Sequence, residues 1–221
     1  LAFSIAPRLN AAGRLQDMSI GIECLLADEV RAFELAEHLD ALNNERKEIE
    51  TDMRDIALAH LNQLSLDEET AAGLCFYRPD WHQGVVGIVA SRIKEKSHRP
   101  VIAFAPAGDG ELKGSGRSVA GFHLRDALDA IATRHPGLLL KFGGHAMAAG
   151  CTIEEENLEW FETCFMQVAA ELLSPATLQR KLETDGPLQA QYRRVEFIDV
   201  MHKEVWGQGF AAPVFSDEVE V

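Results

Sequence analysis

Two short polar segments carry the residue types that bind phosphate groups in proteins. Residues 114–118 read Gly-Ser-Gly-Arg-Ser, in which the arginine can fork onto a phosphate and the serines can donate to its oxygens. Residues 143–145 read Gly-Gly-His, and this imidazole can donate a hydrogen bond, act as an acid or base, or ligate a metal. Glycine lets backbone N–H groups approach a ligand because it has no Cβ atom. The respective alternatives are a glycine-rich bulge and a structural histidine at a tight turn.

Two further segments place polar side chains beside glycine. Arg8, Asn10 and Arg14 lie close together near the start of the chain, where they could contact a phosphate backbone or form a solvated loop. His82 and Gln83 lie between a predicted strand and a predicted helix, where the free N–H groups of a helix N-terminus can meet an anion. The neighbouring tryptophan could stack on a base or belong to the core.

The motifs of several enzyme classes are absent from the sequence. It contains no Walker A loop, no dinucleotide-binding fingerprint, no H-E-x-x-H pair and no nucleophile elbow. No cluster of Asp and His could hold the two divalent ions that phosphodiester hydrolysis usually employs, so we expect no metal site in this chain. The sequence can therefore hold a phosphate, but it shows no means of cleaving a phosphodiester bond.

Charge is distributed unevenly along the 221 residues. The net charge of −14 disfavours a polyanionic partner, because steering toward phosphate needs positive potential. Residues 78–145 nevertheless carry ten Lys and Arg against six Asp and Glu, which is compatible with local nucleic-acid binding. The four cysteines form no C-x-x-C pair, and no apolar run is long enough to span a membrane. We expect reduced thiols, a cytoplasmic location and no membrane partner.

Hydrophobic periodicity predicts the elements that must position these segments. Residues 1–22 are expected to be loop-like, because proline and glycine interrupt them. A long helix is predicted over 28–64, where apolar residues recur at spacings of three, four and seven. A helix broken near residues 43–44 is the alternative.

Strands and helices alternate after that helix. The predicted strands are 72–77, 100–105, 111–118 and 149–153, and the predicted helices are 83–96, 124–133 and 155–173. Short strands are also predicted at 195–200 and 214–221. This alternation indicates an α/β fold, a mixed sheet with flanking helices preceded by a long connecting helix.

Several segments together resemble one protein family. They read IAPRLNAAGRL at 5–15, PDWHQGVVGIVASR at 79–92, GSGRS with GFH at 114–118 and 121–123, KFGGHAMAAG at 141–150, and WGQGF at 206–210. In type and order they resemble the RecJ single-stranded-DNA-specific exonucleases of the DHH phosphoesterase superfamily. The resemblance covers nearly the whole chain and implies four parts. Residues 1–27 would be the C-terminal end of a DHH metal domain, and 28–66 the long helix that connects it to the next domain. Residues 67–176 would form a DHH-associated substrate-binding domain. Residues 177–221 would be a linker and the truncated start of an OB-fold-like domain.

The resemblance also implies a function. It indicates a 5′→3′ single-stranded-DNA exonuclease of recombination and repair, using Mn²⁺ or Mg²⁺ held by residues upstream, since the Asp-His-His motif is missing here. Single-strand-binding protein and a RecQ-type helicase are implied partners, and the fragment alone is expected to be inactive. Supporting catalytic roles fall on Arg117 and His145. The implied substrate-binding residues are Arg8, Asn10, Arg14, His82, Gln83, Gly114, Ser115, Gly116, Arg117, Ser118, Gly143, Gly144 and His145.

Two other functions remain open. The chain could be a stand-alone nucleic-acid-binding module, which would bind in a salt-sensitive way without cleavage. It could also belong to a DHH-type phosphodiesterase that acts on small oligonucleotides. The long helix and residues 206–209 argue against the latter, because those smaller enzymes typically end near the associated domain.

Overall fold

The computed structural model describes residues 3–63, 72–174, 182–207 and 210–217. The chain divides into two compact units, one formed by residues 1–179 and the other by residues 180–221. The first unit contains the candidate phosphate-binding segments, and each unit is described by itself. Within the described residues, no helix combines the length and the apolar character needed to cross a membrane.

Most of the described residues before 22 are helical, so the loop-like expectation for 1–22 is wrong. Helix α1 spans Ala6–Leu15 and helix α2 spans Ser19–Leu26. Pro7 lies in the first turn of α1, where its missing N–H breaks no intrahelical hydrogen bond. Ala11 and Ala12 are fully buried, and their small side chains let α1 pack closely against the following long helix.

Helix α3 spans Glu29–Gln63 without a break, which confirms the long helix and excludes the broken alternative. At 1.5 Å per residue it is about 50 Å long. Asn43 is buried at the proposed break, but its amide oxygen accepts a hydrogen bond from Arg46, which also donates to Glu50. These i,i+3 and i,i+4 contacts give the buried Asn43 amide oxygen a partner inside the helix, so the helix continues through this point.

Five strands form one mixed sheet, which confirms the predicted fold class. The strands are β1 (Leu74–Tyr77), β2 (Val101–Gly108), β3 (Glu111–Arg117), β4 (Lys141–Gly144) and β5 (Ala148–Glu154). Their order in the sheet is β1-β2-β3-β5-β4, in which β1 and β2 are parallel and the remaining neighbours are antiparallel. Strand β4 lies where the sequence predicts only a loop, because its glycines have low strand propensity and the pairing with β5 holds it.

Helices cover the two faces of the sheet unequally. The flanking helices are α4 (Val86–Ser97), α5 (Leu124–Arg134) and α6 (Leu158–Leu172). Helix α4 packs with α3 against β1 and β2, in a core that includes Met53, Ala57 and Ala103. Helices α5 and α6 cover the other face, around Phe104 and Leu124. The face of β5 and β4 on the α4 side is left partly open, as the exposure of Lys141 and Gly143 shows.

The second unit departs from the predicted strands. Residues Val195–Lys203 form helix α7, so the strand predicted at 195–200 is wrong. The aromatic ring of Phe197 packs edge-on against Phe215 at 6.0 Å, while Val195, Ile198 and Val200 of the same helix are exposed. Residues 214–217 are not in a strand, and 218–221 lie outside the described residues, as do 208 and 209 of the WGQGF segment. The OB-fold assignment of 177–221 stays a prediction.

Candidate nucleic-acid interface

Strand β3 presents the Gly-Ser-Gly-Arg-Ser segment with its polar and glycine positions on opposite faces. Successive strand residues point to opposite sides, so Ser115 and Arg117 face α4 while Gly114 and Gly116 face the core. A Cβ atom at Gly114 would lie 2.5 Å from the Phe104 ring, and one at Gly116 would lie 2.6 Å from Leu124. These glycines therefore admit core side chains.

The sequence predicts that Gly114 and Gly116 let backbone N–H groups approach a ligand. In the structure they instead make room for core side chains. Both lie in a central strand that pairs with β2 on one side and β5 on the other. Their backbone N–H groups lie within these two ladders, and their missing Cβ atoms serve the packing of the core. The sequence could not distinguish the two reasons, because the distinction depends on which face of the sheet each residue occupies.

The N-terminus of α4 packs directly onto the polar face of β3. A Cβ atom at Gly87 would lie 2.9 Å from the Ser115 Oγ atom and 3.0 Å from the Arg117 Nη2 atom. A Cβ atom at Gly84 would lie within 2.1 Å of the Arg14 carbonyl oxygen, so the end of α1 also reaches this point. The Arg14 Nη1 atom donates a 3.0 Å hydrogen bond to the Gly84 carbonyl. Three elements distant in sequence thus converge at the beginning of α4.

Arg14 and Arg117 place two positive charges near the start of α4, and neither has an acidic partner among the described residues. Burial first, and the nearby Arg14 second, lower the pKa of the Arg117 guanidinium, although arginine remains charged at neutral pH. Each guanidinium donates to a backbone carbonyl, that of Gly84 for Arg14 and that of Gly116 for Arg117. In the described ranges no carboxylate lies within ion-pair distance of either one, whereas most other arginines there are paired. This arrangement favours an anion.

The Gly-Gly-His segment ends β4 and turns into β5 beside Arg117. Ala148 pairs with Arg117 across the ladder, and its carbonyl accepts a 2.7 Å hydrogen bond from the His145 backbone N–H. His145 itself is exposed. The turn is tied to the loop after β3, because the Ser118 backbone N–H donates to the Met147 carbonyl at 3.0 Å. The two segments singled out by the sequence are therefore neighbours at one edge of the sheet.

The two glycines of this segment have different structural requirements. Gly144 has a φ of +140°, and a Cβ atom there would lie 2.4 Å from the Ala149 Cα atom. At Gly143 the φ is not positive, and a Cβ atom would have no heavy atom within 4 Å. The fold therefore requires glycine at 144 and not at 143, where the missing side chain leaves the sheet surface clear.

Several predicted residues lie apart from this convergence or have their side chains engaged. Arg8 lies on the α3 side of α1 and donates to Asp40 at 2.6 Å, whereas Asn10 is exposed one turn before Arg14. The Ser118 side chain is buried and its hydroxyl donates to the Phe122 carbonyl at 2.6 Å.

Residues 81–83, just before α4, differ in burial. Trp81 is 5% exposed in the α3–α4 core, which settles its role as a core residue. The His82 Nδ1 atom accepts a 3.1 Å hydrogen bond from the Gly84 backbone N–H, and Gln83 is exposed. His82 thus helps to shape the turn that receives Arg14.

Sequence reasoning missed Gly84 and Gly87 as site residues. A signal was available in the sequence for Gly87, since it stands within a predicted helix, where glycine is a poor helix former. A residue so placed indicates close approach of another group. Among the described residues, no three His, Cys, Asp or Glu side chains are grouped so that they could hold a metal ion. The arginine and serine side chains of the convergence are donors that suit a phosphate-like group.

Comparison with known proteins places this arrangement in a family. The model of the DHHA1 domain matches residues 70–171. The chain is 54% identical over 218 residues to the single-stranded-DNA-specific exonuclease RecJ of Salmonella typhimurium, and 52% identical to that of Escherichia coli. These matches cover 97% of this chain and 38% of each relative, so the chain spans well under half of their length.

Solved structures agree with the sequence comparison. The crystal structure of RecJ from Thermus thermophilus in complex with Mg²⁺ is 33% identical, with a TM-score of 0.78 over 97% of this chain and 32% of that one. The corresponding complex with Mn²⁺ gives a TM-score of 0.79. With a DHHA1 domain, the RecJ motifs in order and the RecJ architecture, this chain belongs to the RecJ family and corresponds to part of such a protein.

Proposed function

We propose that this chain supplies the nucleic-acid-binding side of a 5′→3′ single-stranded-DNA exonuclease of recombination and repair. The observation that carries the proposal is the pair of arginines Arg14 and Arg117, which both reach the beginning of α4 and have no carboxylate within ion-pair distance in the described ranges. A phosphate between them would relieve their mutual repulsion and accept charge-assisted hydrogen bonds. Single-stranded DNA is the ligand named for the relatives that the chain matches.

In this proposal the residues of the chain position a phosphate and stabilise its charge. Arg117 lies on a central strand and is half-buried, so its backbone is fixed by the ladder and its side chain is directed toward the start of α4. Ser115 adds a hydroxyl donor on the same face, and His145 adds an exposed imidazole at the edge of the sheet. Such donors favour phosphoryl transfer by orientation and electrostatic stabilisation.

The hydrolytic step requires more than these residues. We place the Mn²⁺ or Mg²⁺ ions in a part of the protein that this chain does not contain, where they would supply charge neutralisation and an activated water. RecJ structures in complex with Mg²⁺ and with Mn²⁺ support this assignment. The proposal includes the partners that the resemblance implies, single-strand-binding protein and a RecQ-type helicase, together with a cytoplasmic location.

The purified 221-residue chain is expected to show no nuclease activity, because the proposed metal centre belongs to another part of the protein. The measurement is digestion of single-stranded DNA, labelled at either its 5′ or its 3′ end, with Mn²⁺ present. The full-length protein, assayed in parallel, is expected to release nucleotides from the 5′ end. Digestion by the chain alone that persists after repurification would refute the proposed division of labour. Full-length protein that cleaves dinucleotides but not long strands would favour the small-oligonucleotide phosphodiesterase.

The substitution Gly87→Ala is expected to weaken DNA binding while leaving the fold at least as stable. The added methyl group would press on Ser115 Oγ and Arg117 Nη2, both at the ends of flexible side chains that can move away. Alanine favours the helix by about 1 kcal/mol relative to glycine, which offsets the local crowding. Thermal unfolding and fluorescence anisotropy with labelled single strands measure the two effects. Unchanged affinity would show that Ser115 and Arg117 do not hold the DNA.

A further inference from the structure

The polar stripe of β3 extends beyond Ser115 and Arg117. Lys113 occupies the next position on the same face, because residues two apart along a strand share a face. The ladder places Thr152 of β5 directly beside Lys113, and Lys141 of β4 directly beside Thr152. The three residues therefore form a row across three neighbouring strands, with two lysines flanking one threonine.

This row lies on the part of the sheet that is left open on the α4 side. Lys113 and Lys141 are both exposed, and Thr152 between them is half-buried. Between this row and Arg117 the same face carries Gly143 and Gly150, which have no side chain to obstruct a ligand. On β5 and β4, beside the point where α4 packs on Ser115, these glycines leave a path between the two groups of cations.

The two lysines have no ionic partner on the described surface. No salt bridge joins either one to a carboxylate there, even though the chain carries a net charge of −14. Neighbouring strands lie about 4.8 Å apart, which places the Lys113 and Lys141 backbones about 10 Å from each other across the threonine. An anion above Thr152 could be reached by both ammonium groups and by the threonine hydroxyl.

The row occupies a defined place relative to Arg117 and to the acidic end of the sheet. Lys113 lies four residues from Arg117 on one strand, or about 13 Å at roughly 3.3 Å per residue. This distance is several times the rise of about 3.4 Å per nucleotide in stacked DNA, so one phosphate cannot serve both groups. The next row is the paired Glu111 and Glu154, whose negative charges would disfavour a strand continuing further in that direction.

We propose that Lys113, Thr152 and Lys141 form a second phosphate subsite, which binds the single strand two or more nucleotides away from the phosphate at Arg117. This inference rests on the proposed function, since it assumes a strand bound at Arg117 that continues over Gly150. The subsite adds affinity for oligonucleotides and leaves the contacts of a terminal phosphate unchanged. Its chemistry is that of a phosphodiester backbone, with no recognition of bases.

The test compares the full-length protein with its Lys113→Gln/Lys141→Gln variant in the absence of divalent metal. Fluorescence anisotropy would follow binding of labelled oligothymidylates of about two and about eight nucleotides, lengths below and within the usual site size of single-strand-binding surfaces. We expect affinity for the longer strand to fall about 10-fold and that for the dinucleotide to change less than about 2-fold. The slope of log affinity against log salt for the longer strand should become shallower by about 1.4. The matched control is Lys47→Gln/Lys94→Gln, which removes the same charge from helices.

The outcomes distinguish failure of the subsite from failure of the proposed function. Equal losses for both lengths, or a loss as large in the control variant, would overturn the subsite, because it predicts a length-dependent and local effect. Unchanged binding of the longer strand by the variant would overturn it as well, while leaving the proposed function intact. Failure of the unsubstituted protein to bind either oligonucleotide would contradict the proposed function itself, and the subsite with it.

Discussion

Replacing Arg117 with alanine is expected to weaken the binding of single-stranded DNA by about 2 to 3 kcal/mol, or roughly 30- to 150-fold. Arg117 is half-buried on a central strand, and no carboxylate in the described ranges competes for its guanidinium. The loss removes charge-assisted hydrogen bonds that a phosphate cannot regain from water-exposed side chains nearby. Its effect should exceed that of any surface cation.

A lysine at position 117 distinguishes the contribution of the positive charge from that of the planar guanidinium. Arg117→Lys keeps the positive charge but loses the planar fork, so we expect it to recover only part of the lost affinity. Arg125→Ala provides the matched control, because Arg125 is an exposed arginine beside Asp126 on α5, the helix that covers the other face of the sheet. Binding curves at several salt concentrations, with circular dichroism to confirm folding, give the measurement. Equal affinities of the Arg117→Ala and Arg125→Ala proteins would contradict the proposed phosphate site.

The substitution Gly144→Ala is expected to destabilise the fold by about 3 kcal/mol and to lower the Tm by roughly 10 °C. Two effects combine, since a φ of +140° is unfavourable for any residue with a Cβ atom, and that atom would lie 2.4 Å from the Ala149 Cα atom. The close contact is with backbone, so it can be relieved only by parting β4 from β5.

Gly143→Ala is the matched comparison for that prediction. Its methyl group would enter open space at an ordinary φ, and alanine in a strand is favoured over glycine by about 0.5 to 1 kcal/mol. We therefore expect an unchanged or higher Tm, with weaker DNA binding because the methyl group projects onto the open sheet face. Differential scanning calorimetry of both variants makes the comparison. Similar losses of stability at the two positions would show that the turn is held differently.

The spacing of apolar residues predicts those helices and strands whose apolar face is buried in a core. Helix α3 and helices α4 to α6 are correct in type because their apolar residues recur at helical spacing and meet a core. Helix α1 is not predicted, because Pro7 and Gly13 indicate a loop. The proline lies in the first turn, where it does not interrupt the helix. Helix α7 carries β-branched residues at 195, 198 and 200, which favour a strand until tertiary context overrides that preference.

The site was predictable in its residue types and not in its geometry. The segments containing Arg117 and His145 stand out by their phosphate-binding chemistry, and the ladder brings them to neighbouring positions. The role of Gly87 as a contact, and the pairing of Arg8 with Asp40, depend on which helix faces which element. That information resides in long-range contacts, which local pattern cannot supply.

Helix α3 is shared by two hydrophobic cores, and this has a consequence for cooperativity. Leu39 and Leu42 near one end pack under α1, while Met53 and Ala57 pack under β1 and α4. Local opening of either core would have to disturb a helix that the other core holds, so the two are coupled in unfolding. A conservative change beneath α1, such as Leu39→Val, therefore reaches the phosphate site through the position of Arg14. We therefore expect substitutions in the core beneath α1 to alter DNA binding as well as stability.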